Sequence, residues 1–196
     1  MKFSILYCSI FVLAIFPTGR IFGQSDTAFD GISFAQQIIG KPLSSIKDSL
    51  FDGHRNYVRN PVYKKSTVTI FSCSSGDRNI LNINSVKFQE LGIVVDTTGV
   101  IKGIYFHRWY FNKNSTSDKN LFDSEYKSLV AYMAMTIQYD GVRQPIIDEK
   151  SYTQEKITWE KEFLKYILTN QQSKKIKKVR PFYDIDLEIF NSQYER

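Results

Sequence analysis

Apolar side chains recur along this chain with two periods, and the switch between them marks out its elements. From Asn84 to Phe111 the period is two. β-Branched and aromatic residues fill two runs, Val86–Val95 and Val100–Tyr110, on either side of Asp96-Thr97-Thr98-Gly99. Such residues suit a pleated surface. Gly99 can take the positive φ of a tight reversal, and Asp96 can bond the backbone two residues on. The pattern predicts a long-armed β-hairpin. In the second arm Ile104 and Phe106 share one face, while Tyr105, His107 and Trp109 share the other, so both faces are partly apolar and a central position in a sheet is expected. In the first arm the apolar parity slips between Phe88 and Leu91, beside Gly92, which predicts a bulge or bend there.

Elsewhere the period is helical. Phe34, Ile38 and Ile39 fall on one stripe; Gly40-Lys41-Pro42 interrupts it; Ser45 with Asp48 forms a capping pattern, and Ile46 and Leu50 continue the stripe to Asp52-Gly53. This reads as helix, short loop, helix. His54–Tyr63 reads as a loop, Ser66–Ser72 as a strand and Ser74–Asp77 as a turn. The polar stretch Asn112–Asn120 is expected to be a linker. In the next segment, Leu121–Tyr139, the residues Phe122, Tyr126, Leu129, Val130, Met133 and Ile137 form one stripe, with Gly141 as the expected C-terminal cap. Val142–Gln154 reads as a polar connection, Lys156–Trp159 as a short strand, Glu160–Glu162 as a turn, and the run starting at Leu164 as a strand followed by a charged loop, Gln171–Lys178. Phe182–Phe190 closes the chain with clean alternation: Ile185, Leu187 and Ile189 on one side, Asp184, Asp186 and Glu188 on the other. Each half therefore has the order α-β-β-β, residues 32–111 and 121–196 joined by 112–120. Hairpin-linked strands with helices on one face give an α+β antiparallel architecture.

The N-terminus adds a destination. Lys2 precedes a 12-residue apolar run, Ile5–Phe16, broken by Pro17 and Gly19 and followed by Gly23-Gln24. A basic start, a short apolar run and a small residue before a polar one describe a secretory signal peptide, residues 1–23, with cleavage after Gly23 or Gly19. The run is shorter than the ~20 residues a bilayer span needs. Residues 24–31 read as a flexible leader. A secreted or periplasmic protein without a transmembrane span after cleavage is expected. The formal net charge of +6 falls to +4 once Lys2 and Arg20 leave, with 24 basic residues against 20 acidic. No basic-aromatic motif accompanies that charge, so nucleic acid is not an expected partner. Only Cys73 remains after cleavage, which leaves no intrachain disulfide and favours a buried small hydrophobe.

The opening Phe34-x-x-x-Ile38-Ile39-Gly40-Lys41-Pro42-x-x-x-Ile46 resembles that of the β-lactamase-inhibitor-protein-like fold, which includes a small outer-membrane barrel-assembly lipoprotein, and the element order is similar to PepSY-type domains. The resemblance implies a repeated helix-plus-antiparallel-strands fold and binding rather than catalysis. It carries over no functional residue.

Catalytic patterns are few. The chain has no G-x-S-x-G, H-E-x-x-H, C-x-x-C or phosphate-loop pattern, and no cofactor or metal is called for. Its two histidines are His54 and His107; His107, between Tyr105 and Trp109, reads as a hydrogen-bonded, partly buried ring, and no spacing supports a Cys73–His107 nucleophile pair. The carboxylate row Asp184, Asp186, Glu188 could hold a cation, but a strand face opposite lysines such as Lys165 explains it more simply. The basic run Lys174–Arg180 reads as a solvated connector, with attraction to anionic lipid as the alternative. Asn114-Ser115-Thr116 is a glycosylation sequon. What remains is the apolar second face of the hairpin arm. Tyr105, His107 and Trp109 are the expected binding residues of a non-enzymatic module, because Trp and Tyr dominate binding hot spots. The alternatives are a small-molecule or lipid pocket between the 121–139 helix and the sheet, lined by Met133 and Tyr126, and, less favoured, a hydrolase.

Overall fold

The computed structural model describes residues 30–46, 69–73, 80–110, 115–174 and 182–193. The signal segment 1–23, most of the leader, Asp48 and Leu50, the 54–63 loop, the 74–77 turn, Asn114 of the sequon, and the basic run beyond Lys174 lie outside the described residues.

Two helices are described, α1 (Gly31–Ile38) and α2 (Ser115–Ile137). Asp30 caps α1: its carboxylate accepts from the Ser33 N–H at 3.0 Å, and also from the Tyr132 hydroxyl of α2 at 2.7 Å. One side chain thus satisfies an open helix end and ties the two helices together. Asp30 and Gly31 therefore belong to the folded body, not to the leader. Gly31 has no room for a side chain, since a Cβ there would lie 2.8 Å from the Phe106 ring. After α1, Gly40 takes a φ of +89° and Pro42 ends any continuation, as the Gly-Lys-Pro break predicts. The segment then lies along the strand ahead: Gly40 N–H bonds Ile101 O, Ile101 N–H bonds Lys41 O, and Leu43 N–H bonds Gly99 O, at 2.8, 2.9 and 2.8 Å. A short 3-10 turn, Leu43–Ser45, leads to buried Ile46.

The strands are β1 (Thr69–Cys73), β2 (Asn82–Ile83), β3 (Val86–Lys87), β4 (Glu90–Val95), β5 (Ile101–Tyr110), β6 (Val142–Arg143), β7 (Ile147–Asp148), β8 (Tyr152–Lys161), β9 (Leu164–Ser173) and β10 (Tyr183–Asn191). Eight of them form one antiparallel sheet in the order β1-β4-β5-β10-β9-β8, with β6 and β7 both laid along β8. The two halves meet where β5 pairs with β10, and the strand order runs outward from that seam in mirror fashion. The fold is α+β, with both helices on one face: Phe122 of α2 meets the Tyr110 ring edge-on at 5.5 Å, and α1 presses on Phe106, both from β5.

The predicted hairpin forms around Asp96–Gly99, with Gly99 at φ +80°. The Asp96 carboxylate accepts from the Thr98 N–H, the Thr98 hydroxyl and the Val100 N–H, at 2.9, 2.7 and 2.9 Å, and lies 3.2 Å from the Lys102 ammonium. The first arm is not one strand. Asn84 and Ser85 both take positive φ, +47° and +64°, which makes a two-residue reversal. Val86–Lys87 therefore folds back on Asn82–Ile83, and the sheet strand starts only at Glu90. The slip between Phe88 and Leu91 is this break, while the register shift falls later, between Val94 and Val95. Asn84 docks the small hairpin on α2 through the Ser128 hydroxyl at 2.8 Å.

In the second half the expected 112–120 linker is partly helix. α2 begins at Ser115, and Asp118 in its first turn is buried. The stripe behaves as predicted, with Phe122, Tyr126, Leu129, Met133 and Ile137 buried and Val130 packed against them. The helix ends at Ile137, and Gln138 after it takes φ +69° in place of a glycine cap. Gly141 has a different reason to be glycine: a Cβ there would meet Trp159 and Ile157 at 2.5 Å. The 142–154 connection carries β6, β7 and the start of β8, and the β8–β9 reversal is Glu162-Phe163, with Glu162 at φ +56° and Glu160 and Lys161 still paired. β9 runs on to Ser173, so Gln171 and Gln172 are strand rather than loop.

Candidate functional site

The site is built on the face of β5 that points away from both helices. Alternation sends Ile104, Phe106, Arg108 and Tyr110 toward the helices and Tyr105, His107 and Trp109 to the other side. On the helix side a polar network fixes the strand. The Arg108 guanidinium donates to Glu125 of α2 at 2.7 Å and, through Nε, to the Tyr110 hydroxyl at 3.0 Å; the Tyr110 O–H in turn donates to Glu125. Arg108 also pairs with Glu125 through Nε and donates to the Lys87 carbonyl. Burial, then the hydrogen bond to Glu125, raises the Tyr110 pKa well above the phenol range. A strand clamped this way cannot roll and swap its faces.

On the site face each ring has its own support. The Tyr105 ring packs over Gly92 of β4, where a Cβ would sit 1.8 Å from it, and its hydroxyl donates to Glu90 at 3.2 Å. The His107 and Trp109 rings lie 5.2 Å apart, tilted by 37°. Gln89, just before β4 begins, uses its side-chain amide as a substitute strand: it donates to the Trp109 carbonyl at 3.0 Å and accepts from the Trp109 N–H at 3.2 Å. Tyr105 and Trp109 are half-buried, and His107 is 7% exposed.

β10 adds a second row in register with the first. Asp184 pairs with Trp109, Asp186 with His107 and Glu188 with Tyr105. Directly opposed positions stand ~4.5–5.5 Å apart, so the acid row runs alongside the ring row. His107 Nδ1 meets Asp186 Oδ1 in a close contact. The carboxylate row is therefore not opposite lysines. Its neighbours are the β5 rings on one side and Gln171, Thr169 and Ile167 of β9 on the other, while Lys165 pairs with Phe190 and bonds Glu160 at 2.8 Å. Among the described residues no group of three or more His, Cys, Asp and Glu converges to hold a metal ion.

Tyr105, His107 and Trp109 are thus brought together with Asp184, Asp186 and Glu188. Cys73 is not in their row: it pairs with Leu91, and Leu91 with Phe106. Met133 and Tyr126 both lie in the core cluster under α2. Burial, with Glu155 nearby, raises the Tyr126 pKa. Of the ring supports Gln89, Glu90 and Gly92, the sequence marks only Gly92, beside the parity slip at Phe88–Leu91, and marks it as a bend and not as the seat of a ring. No described helix is long and apolar enough to cross a membrane. Compared with protein families, curated proteins and solved structures, the chain matches none of them, so the likeness of its Phe34–Ile46 opening to the inhibitor-protein fold rests on those residues alone.

Proposed function

We propose that this chain is an exported, non-catalytic binding module of the cell envelope or extracellular space, and that a protein partner docks on the sheet face carrying Tyr105, His107 and Trp109. The observation that carries this reading is the ring row itself, on a strand inside an eight-stranded sheet and on the side away from α1 and α2. A strand with its core on one side needs only polar residues on the other. β10 follows that rule with Asp184, Asp186 and Glu188; β5 departs from it with three rings. Gln89, Glu90 and Gly92 hold two of the rings in fixed orientation, which lowers the ordering cost of binding. Export is supported by the Lys2, Ile5–Phe16 and Gly19/Gly23 pattern.

The test is capture by the immobilised chain from envelope and medium fractions. Trp109→Ala is expected to weaken retention of the captured partner by about tenfold or more, the mark of an anchor residue. Met135→Ala, on the solvent side of α2 and 73% exposed, leaves retention unchanged. Equal retention by Trp109→Ala puts the docking surface elsewhere. N-terminal sequencing of the exported chain should begin at Gln24 or Arg20; an intact Met1 would remove the export half of the proposal.

A further inference from the structure

We propose that residues 139–151 are a guard strap, which closes the β8 edge of the sheet and opens and shuts without the rest of the molecule. A strand edge is a row of N–H and C=O groups, and on β8 one stretch of chain meets that row from end to end. The Tyr139 hydroxyl donates to the Glu160 carbonyl at 2.7 Å and accepts from the Glu160 N–H. Val142 and Arg143 pair with Thr158 and Ile157, and the Gln144 N–H donates to the Lys156 carbonyl at 2.9 Å. Ile147 and Asp148 pair with Gln154 and Thr153, and the Glu149 N–H donates to the Tyr152 carbonyl at 2.9 Å. The register slips by one residue between the two pairings, across Gln144-Pro145-Ile146, where Pro145 has no N–H to give.

What the strap lacks is burial. Every residue from Val142 to Ser151 is exposed, Val142 at 62% and Ile146 at 64%, although the strand beside it is core on its inner face, with Ile157 and Trp159 each 1% exposed. Its side-chain holds are polar and on the surface: Arg143 pairs with Glu155, and Asp148 accepts from the Thr153 hydroxyl at 3.0 Å and lies 2.6 Å from the Lys174 ammonium. Apolar burial is what couples an element to the unfolding of the whole domain; a segment held by main-chain bonds and surface ion pairs without it belongs to the units that open first. One tight fit sets the strap's seat. A Cβ on Gly141 would lie 2.5 Å from both Trp159 and Ile157, so only glycine lets the chain lie this close. The strap guards its edge with or without a partner on the ring face.

Amide hydrogen exchange of the full chain, followed residue by residue by NMR, tests it. The Gln144 and Glu149 amides are expected to exchange about 100-fold or more faster than the amides of β9 and β10. Low denaturant should leave the strap's rates nearly unchanged while it speeds those of β9 and β10, because a local opening exposes little surface. Asp148→Asn removes the Lys174 pair and should raise the Glu149 rate about two- to fivefold. Gly141→Ala should raise the Gln144 rate by about tenfold, and by more than it raises those of β9 and β10. Strap amides that exchange at the rates of β9 and β10 overturn the proposal, as does a Gly141→Ala effect spread equally over all three. The wild-type rates and their denaturant dependence decide the matter alone if the variants do not fold.

Discussion

Tyr105 can pack over β4 because one methyl group is missing opposite it. A Cβ on Gly92 would fall 1.8 Å from the ring, so Gly92→Ala must push the ring out or bend β4. Overpacking of this kind costs about 1–3 kcal/mol. The cost is specific to that ring, so in a Tyr105→Ala background Gly92→Ala should be close to neutral; a denaturant-melt double-mutant cycle measures the difference. Asp96 makes the stability of the fold depend on acid pH. Bonds from Thr98, Val100 and Lys102 hold its carboxyl at about 2, against an ordinary value of 3.8. A depressed carboxyl stabilises the fold above the unfolded value and loses that contribution as pH falls through the folded one. Wild type should therefore lose about 2–4 °C of melting temperature relative to Asp96→Asn between pH 4.5 and pH 2, a modest shift because the turn is largely solvated. Melting curves that track each other over that window would assign the turn's stability to Gly99 alone.

At the scale of elements, α2 is held by its stripe more than by its ends. Its last residue is followed by Gln138 in the left-handed region, a poor cap, while Leu129 and Met133 are fully buried. Leu129→Ala should cost about 2–5 kcal/mol in denaturant melts. Met135→Ala should stay within about 0.5 kcal/mol. This stripe is plain in the sequence because it repeats without a break from Phe122 to Ile137, as is the alternation of Tyr183–Phe190, where acid and aliphatic residues take strict turns. What the sequence hid was short or polar. Ser115–Asn120 carries no apolar stripe of its own, so the first turns of α2 read as a linker. Asn84-Ser85 makes a tight reversal without a glycine, so in the sequence β3 reads as part of a longer arm. β6 and β7 are two residues each, held by β8 rather than by their own preference. For the site, alternation alone put Tyr105, His107 and Trp109 on one face. Their acidic neighbours could not be read, because the pairing of β5 with β10 joins residues some 80 positions apart, as His107 and Asp186 are, 79 residues from each other.

At the scale of the molecule, two halves with the same element order share one sheet, and what joins them is a mixture of backbone and side chain. β5 and β10 supply the ladder; Arg108, Glu125 and Tyr110 bind the first half's central strand to the second half's helix; Asp30 and Tyr132 tie helix to helix. Burial, then the Asp30 bond, pushes the Tyr132 hydroxyl up to about 12, so this tie persists across the physiological range. The mirror order of the strands also has a consequence in time. β10, made some 70 residues after the end of β5, is one of the two strands at the centre of the sheet, so β5 must wait, one edge unpaired, until β10 has been made. An unpaired inner edge is a template for wrong partners. For this chain the hazardous interval is the synthesis of everything between β5 and β10, and the centre of the sheet is assembled only when β10 arrives.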